Sequence, residues 1–453
     1  MKTQRRGGIP APHIKKESEL SSPPGNPAEL GIDELPNDWR IVPLGDFLTK
    51  SQYGLSVKGG PEGRCPILRM TNQVNGRIKA EKLQYADVTD KQLQSHRVEV
   101  GDLLFNRTNS LELVGRTAIF DLPGDYVFAS YLIRLRAKAD DLDPEFLNFY
   151  LGGEETQKRL KGIATRAVSQ SNISATRLQG FLIPLPPLPE QTRIVHILST
   201  VQRAIEAQER IIRSTTELKK ALMHKLFTEG TRGEKQKDSE IGPIPESWEV
   251  VELGELLSVV QYGISIKGNP EGNYPILRMT NQINGRIVPN SLQFVEITNL
   301  EFQKFKVKRG DILFNRTNSF DLVGRTAIHD IDGDYVFASY LIRMQTDEER
   351  LNPYFLNLDF NRDETQVRLK SIATRAVSQS NISATRLKRF PIPLPSVSKQ
   401  ADIVSAGAAL DAKSGLHRAK LASLQQLYRT LLHELMTAKT RVYELESGEE
   451  AVS

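Results

Sequence analysis

The sequence predicts a mixed α/β protein of two globular domains and two long helices, built as an internal repeat. Three observations lead there. The hexapeptide FNRTNS stands at Phe105–Ser110 and returns at Phe314–Ser319. Short β-rich runs such as YVFASYLIRLR, broken by Gly, Asn and Pro turn signals, alternate with short helical patterns such as DPEFLNFYL. Two long segments then place apolar residues at steps of three and four, the spacing of a helix face.

The repeat is continuous. From 105 to 314 is an offset of 209, and the same offset carries Trp39 onto Trp248 and Gln52–Gly59 onto Gln261–Gly268. It also carries Pro66–Ile78 onto Pro275–Ile287, Gly124–Arg134 onto Gly333–Arg343, and Ala164–Leu178 onto Ala373–Leu387, without a gap. A unit this long is no solenoid repeat, whose period is ~20–50 residues. Each globular part, 34–188 and 244–397, reads as an α+β or mixed α/β domain.

The helices follow at 189–228 and 398–444, with 229–243 as a linker. From Glu190 to Phe227 there is no Gly or Pro, and Ile194, Leu198, Val201, Ile205, Ile212, Leu222 and Leu226 form a stripe. Leu421, Leu424, Tyr428, Leu431, Leu435, Ala438 and Val442 form a heptad seam in the second copy. Pro189 and Glu190 suit a helix start, because the ring presets φ and the carboxylate faces the positive end of the dipole. EGTRGE, after Phe227, ends the helix. About 38 residues at ~1.5 Å each reach roughly 57 Å, longer than a domain is wide. Two such helices most economically pack on each other.

Composition narrows the classes. The 453 residues are 39% apolar and 25% charged, an ordinary globular balance, with net charge +5 and pI 9.0. That balance leans basic without establishing a nucleic-acid partner. The single cysteine, Cys65, excludes an intramolecular disulfide and a cysteine metal cluster and fits a reducing cytoplasm. No apolar run approaches the ~20 residues of a membrane helix. Residues 1–33 start basic, turn rich in Ser, Pro and Gly, and lack a signal-peptide core; a disordered tail is expected there, and 445–453 forms a second tail.

Three stretches, PLPPLPEQTRIV (Pro184–Val195), GDLLFNRTNS with LVGRTA, and LFTEGTRGE with IGPIPESWEVVELGE, resemble the specificity (S) subunit of type I restriction–modification systems. The resemblance covers nearly the whole chain beyond the tail. It implies that each globular part is a target recognition domain reading half of a bipartite DNA site. The two helices would pack as an antiparallel coiled coil that holds those domains apart, giving the chain a pseudo-two-fold axis. It also implies docking of two methyltransferase (M) subunits and recruitment of motor–nuclease (R) subunits. S-adenosylmethionine would then sit on M, ATP and Mg on R, and no cofactor on this chain. The second copy departs at PLPSVSKQADIV (Pro393–Val404), where Lys399 reverses the charge of Glu190 and Ser398 is a possible N-cap.

Ten basic positions are identical between the copies: Lys58, Arg69, Arg77, Arg107, Arg116, Arg134, Arg159, Lys161, Arg166 and Arg177. Solvated surface charge has no need to repeat so closely, although a recent duplication would account for the identity without selection for function. Arg on guanine, and Asn or Gln on adenine, match the paired donors and acceptors of the major groove. Lys and Arg also hold phosphates, which gives affinity without sequence information. The candidate DNA-binding residues are Lys58, Arg69, Asn72, Gln73, Asn75 and Arg77; Asn106, Arg107, Asn109 and Ser110; and Arg166, Ser169, Gln170 and Asn172. Their counterparts are Lys267, Arg278, Asn281, Gln282, Asn284 and Arg286; Asn315, Arg316, Asn318 and Ser319; and Arg375, Ser378, Gln379 and Asn381.

Each candidate has a plainer reading. NRTNS makes a turn after the strand DLLF, Asn172 caps the helix ISATRL, and Tyr53 and Tyr131 fill a core. Gly54, Lys58 and Gly59 are no phosphate loop, since Gly60 and Asn269 stand where its lysine belongs. NPYF (Asn352–Phe355) resembles the tetrapeptide of adenine methyltransferases, but its counterpart is DPEF within a helical pattern. The seven histidines lack metal-ligand spacing. The expectation is a non-catalytic specificity subunit on double-stranded DNA, cytoplasmic and without membrane contact. Matched copies predict matched, inverted half-sites, an interrupted palindrome whose centres lie roughly one to two turns apart at ~34 Å per turn. The alternatives are a self-sufficient DNA methyltransferase or nuclease, and a coiled-coil scaffold with no DNA role.

Overall fold

The structure, a computed structural model, describes residues 26–166, 170–375 and 379–443. It divides into two compact units, 1–206 with 422–453, and 207–421. Each unit combines one globular copy with the near half of each long helix.

In the first unit a six-stranded sheet runs in the order Leu48–Tyr53, Leu132–Ala137, Leu103–Asn106, Thr117–Ile119, Arg77–Ile78, Gln73–Val74. Neighbours are antiparallel except Arg77–Ile78 beside Thr117–Ile119. Two smaller sheets flank it: Val127–Phe128, Cys65–Leu68, Gln84–Ala86, and Thr165–Arg166, Ser171–Asn172, Thr108–Asn109. The second unit repeats this order strand for strand. Arg40–Pro43 pairs with Leu182–Leu185 and delivers the chain into the first long helix.

The core explains why the helices are not free-standing. Phe105, Ile133, Phe146 and Leu147 pack with Ile194 and Leu198 of the first long helix and with Leu435 and Met436 of the second. In the second unit Met223 and Phe227 close the core around Trp248 and Phe355, with Ile403 from the other helix. Fully burying such a side chain contributes ~1.5–3 kcal/mol, so the helix ends stabilise each globular copy. Arg134, among the identical cations, is 1% exposed. It donates to the Arg97 and Ser95 carbonyls at 2.5 and 3.1 Å and to Gln52, beside Asp102 at 3.9 Å. That identity belongs to the interior.

The helices run Leu188–Glu229 and Val397–Met436. Within the second unit Gln208 meets His417 at 2.8 Å and Lys219 meets Asp411 at 2.6 Å. Numbers rise on one helix as they fall on the other, so the pair is antiparallel. The first helix ends at Glu229, and Gly230 just beyond it adopts φ +70. The second stops short of the expected residue 444. Ala438 adopts φ 56 and turns the chain, while Val442 still buries its side chain to 2% exposure. Ser398 lies inside the first turn rather than at its cap, since the helix already begins at Val397.

One further expectation differs from the structure. The tail prediction falls outside the described residues for 1–25 and for 445–453. At 26–33 it fails: Pro27–Leu30 forms a 3-10 helix capped by Asn26, and Leu30 and Ile32 are 3% and 1% exposed. The 229–243 linker carries a short strand, Gln236–Lys237, that pairs with Ile244–Pro245.

The charge reversal at 399 has a partner. Glu190 accepts from Arg441 at 2.7 and 2.8 Å and from Trp39 Nε1 at 2.9 Å. Lys399 instead donates to Glu234 at 2.6 Å and Ser247 at 2.9 Å. Both sites join a helix start to the segment just past the other helix's end, with the signs exchanged. Trp248 Nε1 is left without a hydrogen-bond partner among the described residues.

Candidate nucleic-acid interface

The structure sorts the candidates by where their bonds are spent. Asn72 and Asn281 are 1% and 0% exposed. Each Oδ1 accepts the backbone N–H three residues back, from Arg69 at 2.9 Å and Arg278 at 3.0 Å. Asn72 Nδ2 donates to the Lys79 and Glu81 carbonyls at 3.1 and 3.0 Å, and Asn281 Nδ2 to Val288 and Asn290 at 3.1 and 2.9 Å. Gln73 and Gln282 donate to the Leu104 and Leu313 carbonyls, both at 2.7 Å. Asn106 and Asn315 are 1% exposed at the end of a central strand. Asn72, Gln73, Asn281 and Gln282 thus spend their amides on the backbone of turns and strands, and Asn106 donates to the Leu113 carbonyl at 3.3 Å. Their placement favours a scaffold role for them.

Asn75 and Asn284 adopt φ 50 and 51, each followed by a left-handed glycine, the backbone of a tight hairpin turn. That turn abuts the long helices: Gln202 donates to the Asn75 carbonyl at 3.2 Å. Arg77 is paired with Glu145 at 2.6 Å and Asp121 at 3.3 Å, and Arg286 lies 3.9 Å from both Asp330 and Asp411. Burial raises the Glu145 carboxyl above its ordinary range while Arg77 opposes the shift. These four positions lie at the turn beside the long helices.

The remaining candidates converge. Tyr53 and Tyr262 are 41% and 43% exposed, and the Arg107 and Arg316 guanidiniums lie over their rings at 4.7 and 4.8 Å. Each phenol oxygen accepts a backbone N–H, from Ala175 at 2.9 Å and Ala384 at 3.0 Å, which fixes the ring. Arg107 donates to Asn172 Oδ1 at 3.3 Å, and Asn172 Nδ2 donates to Thr108 Oγ1 at 3.2 Å. Asn381 makes the matching bond to Thr317 at 2.8 Å. Asn172 therefore braces the arginine; the helix cap is Ser174, as Ser383 is in the second copy.

Asn109 and Asn318 spend an amide on Met70 and Met279 sulfur, both at 2.9 Å, a weak acceptor that surrenders the donor readily. Their Oδ1 atoms accept from Ser110 and Ser319, both at 2.8 Å. Arg69 and Arg278 rest one nitrogen on the Lys82 and Ser291 carbonyls at 3.2 and 2.9 Å. Gln170, Gln379 and Arg375 are exposed on the strands and turn beside Asn172 and Asn381. Arg166 ends the matching edge strand, and Ser169 and Ser378 lie outside the described residues.

In the second unit this face holds a cleft of about 310 Å³ lined by Lys267, Arg278, Gln293, Ser339 and Tyr340. Gln293 and its counterpart Gln84 escaped the sequence reading. The offset of 209 marks them as identical, but they sit in an unremarkable strand far from the polar segments. The arrangement offers cationic forks, amides and an exposed ring, the groups that hold phosphates and read base edges. No described group of three or more His, Cys, Asp or Glu could hold a metal ion. No described helix is long and apolar enough to cross a membrane.

A chain of two like domains, each presenting this face, is a paired recognition protein. The family model for the type I restriction modification DNA specificity domain matches residues 36–214 and again 245–426. The chain is 30% identical to the putative type I restriction enzyme MjaX specificity subunit of Methanocaldococcus jannaschii, over 91% of this chain and 96% of that one. It is 23% identical to the EcoKI specificity subunit of Escherichia coli, over 83% of this chain and 82% of that one. Its fold is similar to the crystal structure of a type I restriction–modification S subunit from M. genitalium: TM-score 0.57, 18% identity, 89% of this chain and 98% of that one. The chain belongs to the type I restriction–modification DNA specificity family: it is a specificity subunit, which supplies recognition and not catalysis.

Proposed function

We propose that each recognition domain reads one half of a bipartite site on double-stranded DNA, and that the halves are matched and inverted. One observation carries this: the Tyr53–Arg107–Asn172 constellation recurs as Tyr262–Arg316–Asn381, with Asn109–Met70 recurring as Asn318–Met279. Like reading groups bind like sequences. Antiparallel helices favour two-fold symmetry, and a two-fold reader calls for an interrupted palindrome.

The reading extends to partners. The exposed helix flanks would dock two methyltransferase subunits carrying S-adenosylmethionine. Motor–nuclease subunits with ATP and Mg would join the full complex, in the cytoplasm. This chain needs no cofactor for such a role, since reading requires only donors, acceptors and charge. The test is selection of bound sequences from random DNA by the full-length chain. Two similar halves in inverted order are expected; two unrelated halves would overturn the proposal.

A further inference from the structure

The candidate faces of the two copies are not identical, and one of the differences falls beside Arg375. After the shared NRTNS segment the first copy continues with Leu111 and the second with Phe320. The Phe320 ring lies under the Arg375 guanidinium at 3.8 Å, with Lys370 Nζ at 5.9 Å from the same ring. Arg375 ends the edge strand Thr374–Arg375, which pairs with Ser380–Asn381, which pairs in turn with Thr317–Asn318. The stacked arginine therefore stands on the same small sheet as Asn381 and Asn318. Leu111 has no ring to offer and is 36% exposed.

A guanidinium packed over a ring gives up much of its rotational freedom before any ligand arrives, and in exposed Arg375 the N–H edge stays open to solvent. That edge is a planar fork suited to an acceptor pair on DNA, guanine O6 and N7 or two phosphate oxygens. We propose that Phe320 is a positioning residue for Arg375, and that it makes the second recognition domain the stronger reader of a nominally symmetric site. The inference rests on the proposed DNA-reading role of this face. It predicts that a DNA carrying one intact half-site is held through the second domain.

The experiment uses the full-length chain and duplexes carrying the complete site or a single half. Phe320→Leu, which installs the first copy's residue, is expected to weaken binding to both duplexes about two- to five-fold, the size of an exposed cation–π contact. Phe320→Tyr keeps a ring and should restore wild-type binding. Leu111→Phe should tighten the complete site by a similar factor. In an Arg375→Ala background, Phe320→Leu should change nothing further, which a general loosening of the loop would not produce. Lost discrimination at one base pair marks a base contact, whereas uniform loss with a salt slope lower by about one marks a phosphate; both outcomes support the positioning role. Salt-dependent DNA binding that ignores all these variants overturns it while the reading role stands. No DNA binding by the wild-type chain overturns the reading role, and this inference with it.

Discussion

Lys399→Glu is predicted to be a poor substitution that a second change converts into a stabilising one. At the equivalent junction of the first unit, Glu190 ties Trp39 Nε1 at 2.9 Å and Arg441 at 2.7 Å. In the second unit Lys399 offers Trp248 no acceptor, and a buried unpaired N–H costs ~1–3 kcal/mol. Glu at 399 supplies that acceptor, worth about 1–2 kcal/mol for a bond to a charged group at a partly exposed site. It also removes the pairing with Glu234, whose side chain is 20% exposed against 28% for Lys399, and sets two carboxylates together. A half-exposed pair is worth ~1 kcal/mol or less, and its repulsive replacement costs a similar amount again. The single variant should therefore fall between neutral and ~1 kcal/mol less stable. Adding Glu234→Arg rebuilds the first unit's polarity, and the double variant should exceed wild type by about 1 kcal/mol. For a unit of this size that is roughly 2–4 °C in melting temperature, readable by calorimetry. The reverse change, Glu190→Lys, should be the most damaging, since it orphans Trp39 and sets Lys against Arg441. A double variant no more stable than wild type would refute the argument that tryptophan satisfaction governs this junction.

Three further outcomes follow from the same geometry. Asn72→Ala or Asn281→Ala removes three hydrogen bonds at a buried turn and should destabilise by about 2–4 kcal/mol in chemical denaturation, whereas Asn109→Ala should leave the midpoint within ~0.5 kcal/mol. Arg107→Ala or Arg316→Ala should weaken DNA binding by ~1–3 kcal/mol, measured by fluorescence anisotropy at fixed salt, with little change in melting temperature. His329 is 2% exposed beside Asp311, Arg309, Asp330 and Tyr335, and burial pushes its imidazole below the ordinary value. The folded state thus favours neutral histidine, so stability present above pH ~6.5 should fall as pH drops through that value, by up to ~1.4 kcal/mol per unit. His329→Phe, the residue found at 120, should flatten the pH 5–7 stability profile.

The architecture was legible because a repeat at constant offset and a long apolar stripe are both one-dimensional patterns. The helix end was not. Ala438 and Val442 continue the apolar spacing, and Val442 is buried as that spacing implies. Spacing records which side chains seek a core and carries no record of φ, so the left-handed turn at Ala438 is invisible to it. Leu30 and Ile32 were missed for the opposite reason, two apolar residues inside a segment whose bulk composition is polar.

The site was half legible, and the reason is chemical. Identity between copies falls alike on positions spent in folding and on positions that face the candidate site. Asn72 and Asn109 are the same side chain in neighbouring polar segments, and no local rule separates them. What separates them is tertiary: the carbonyls of Lys79 and Glu81 return to one amide, and a methionine sulfur to the other. An amide saturated by backbone is scaffold, since giving up those bonds would cost ~1 kcal/mol or more each. An amide resting on a thioether loses little by turning to a base. Among residues that the copies share, the strength of the partner already held predicts which ones are free to take another.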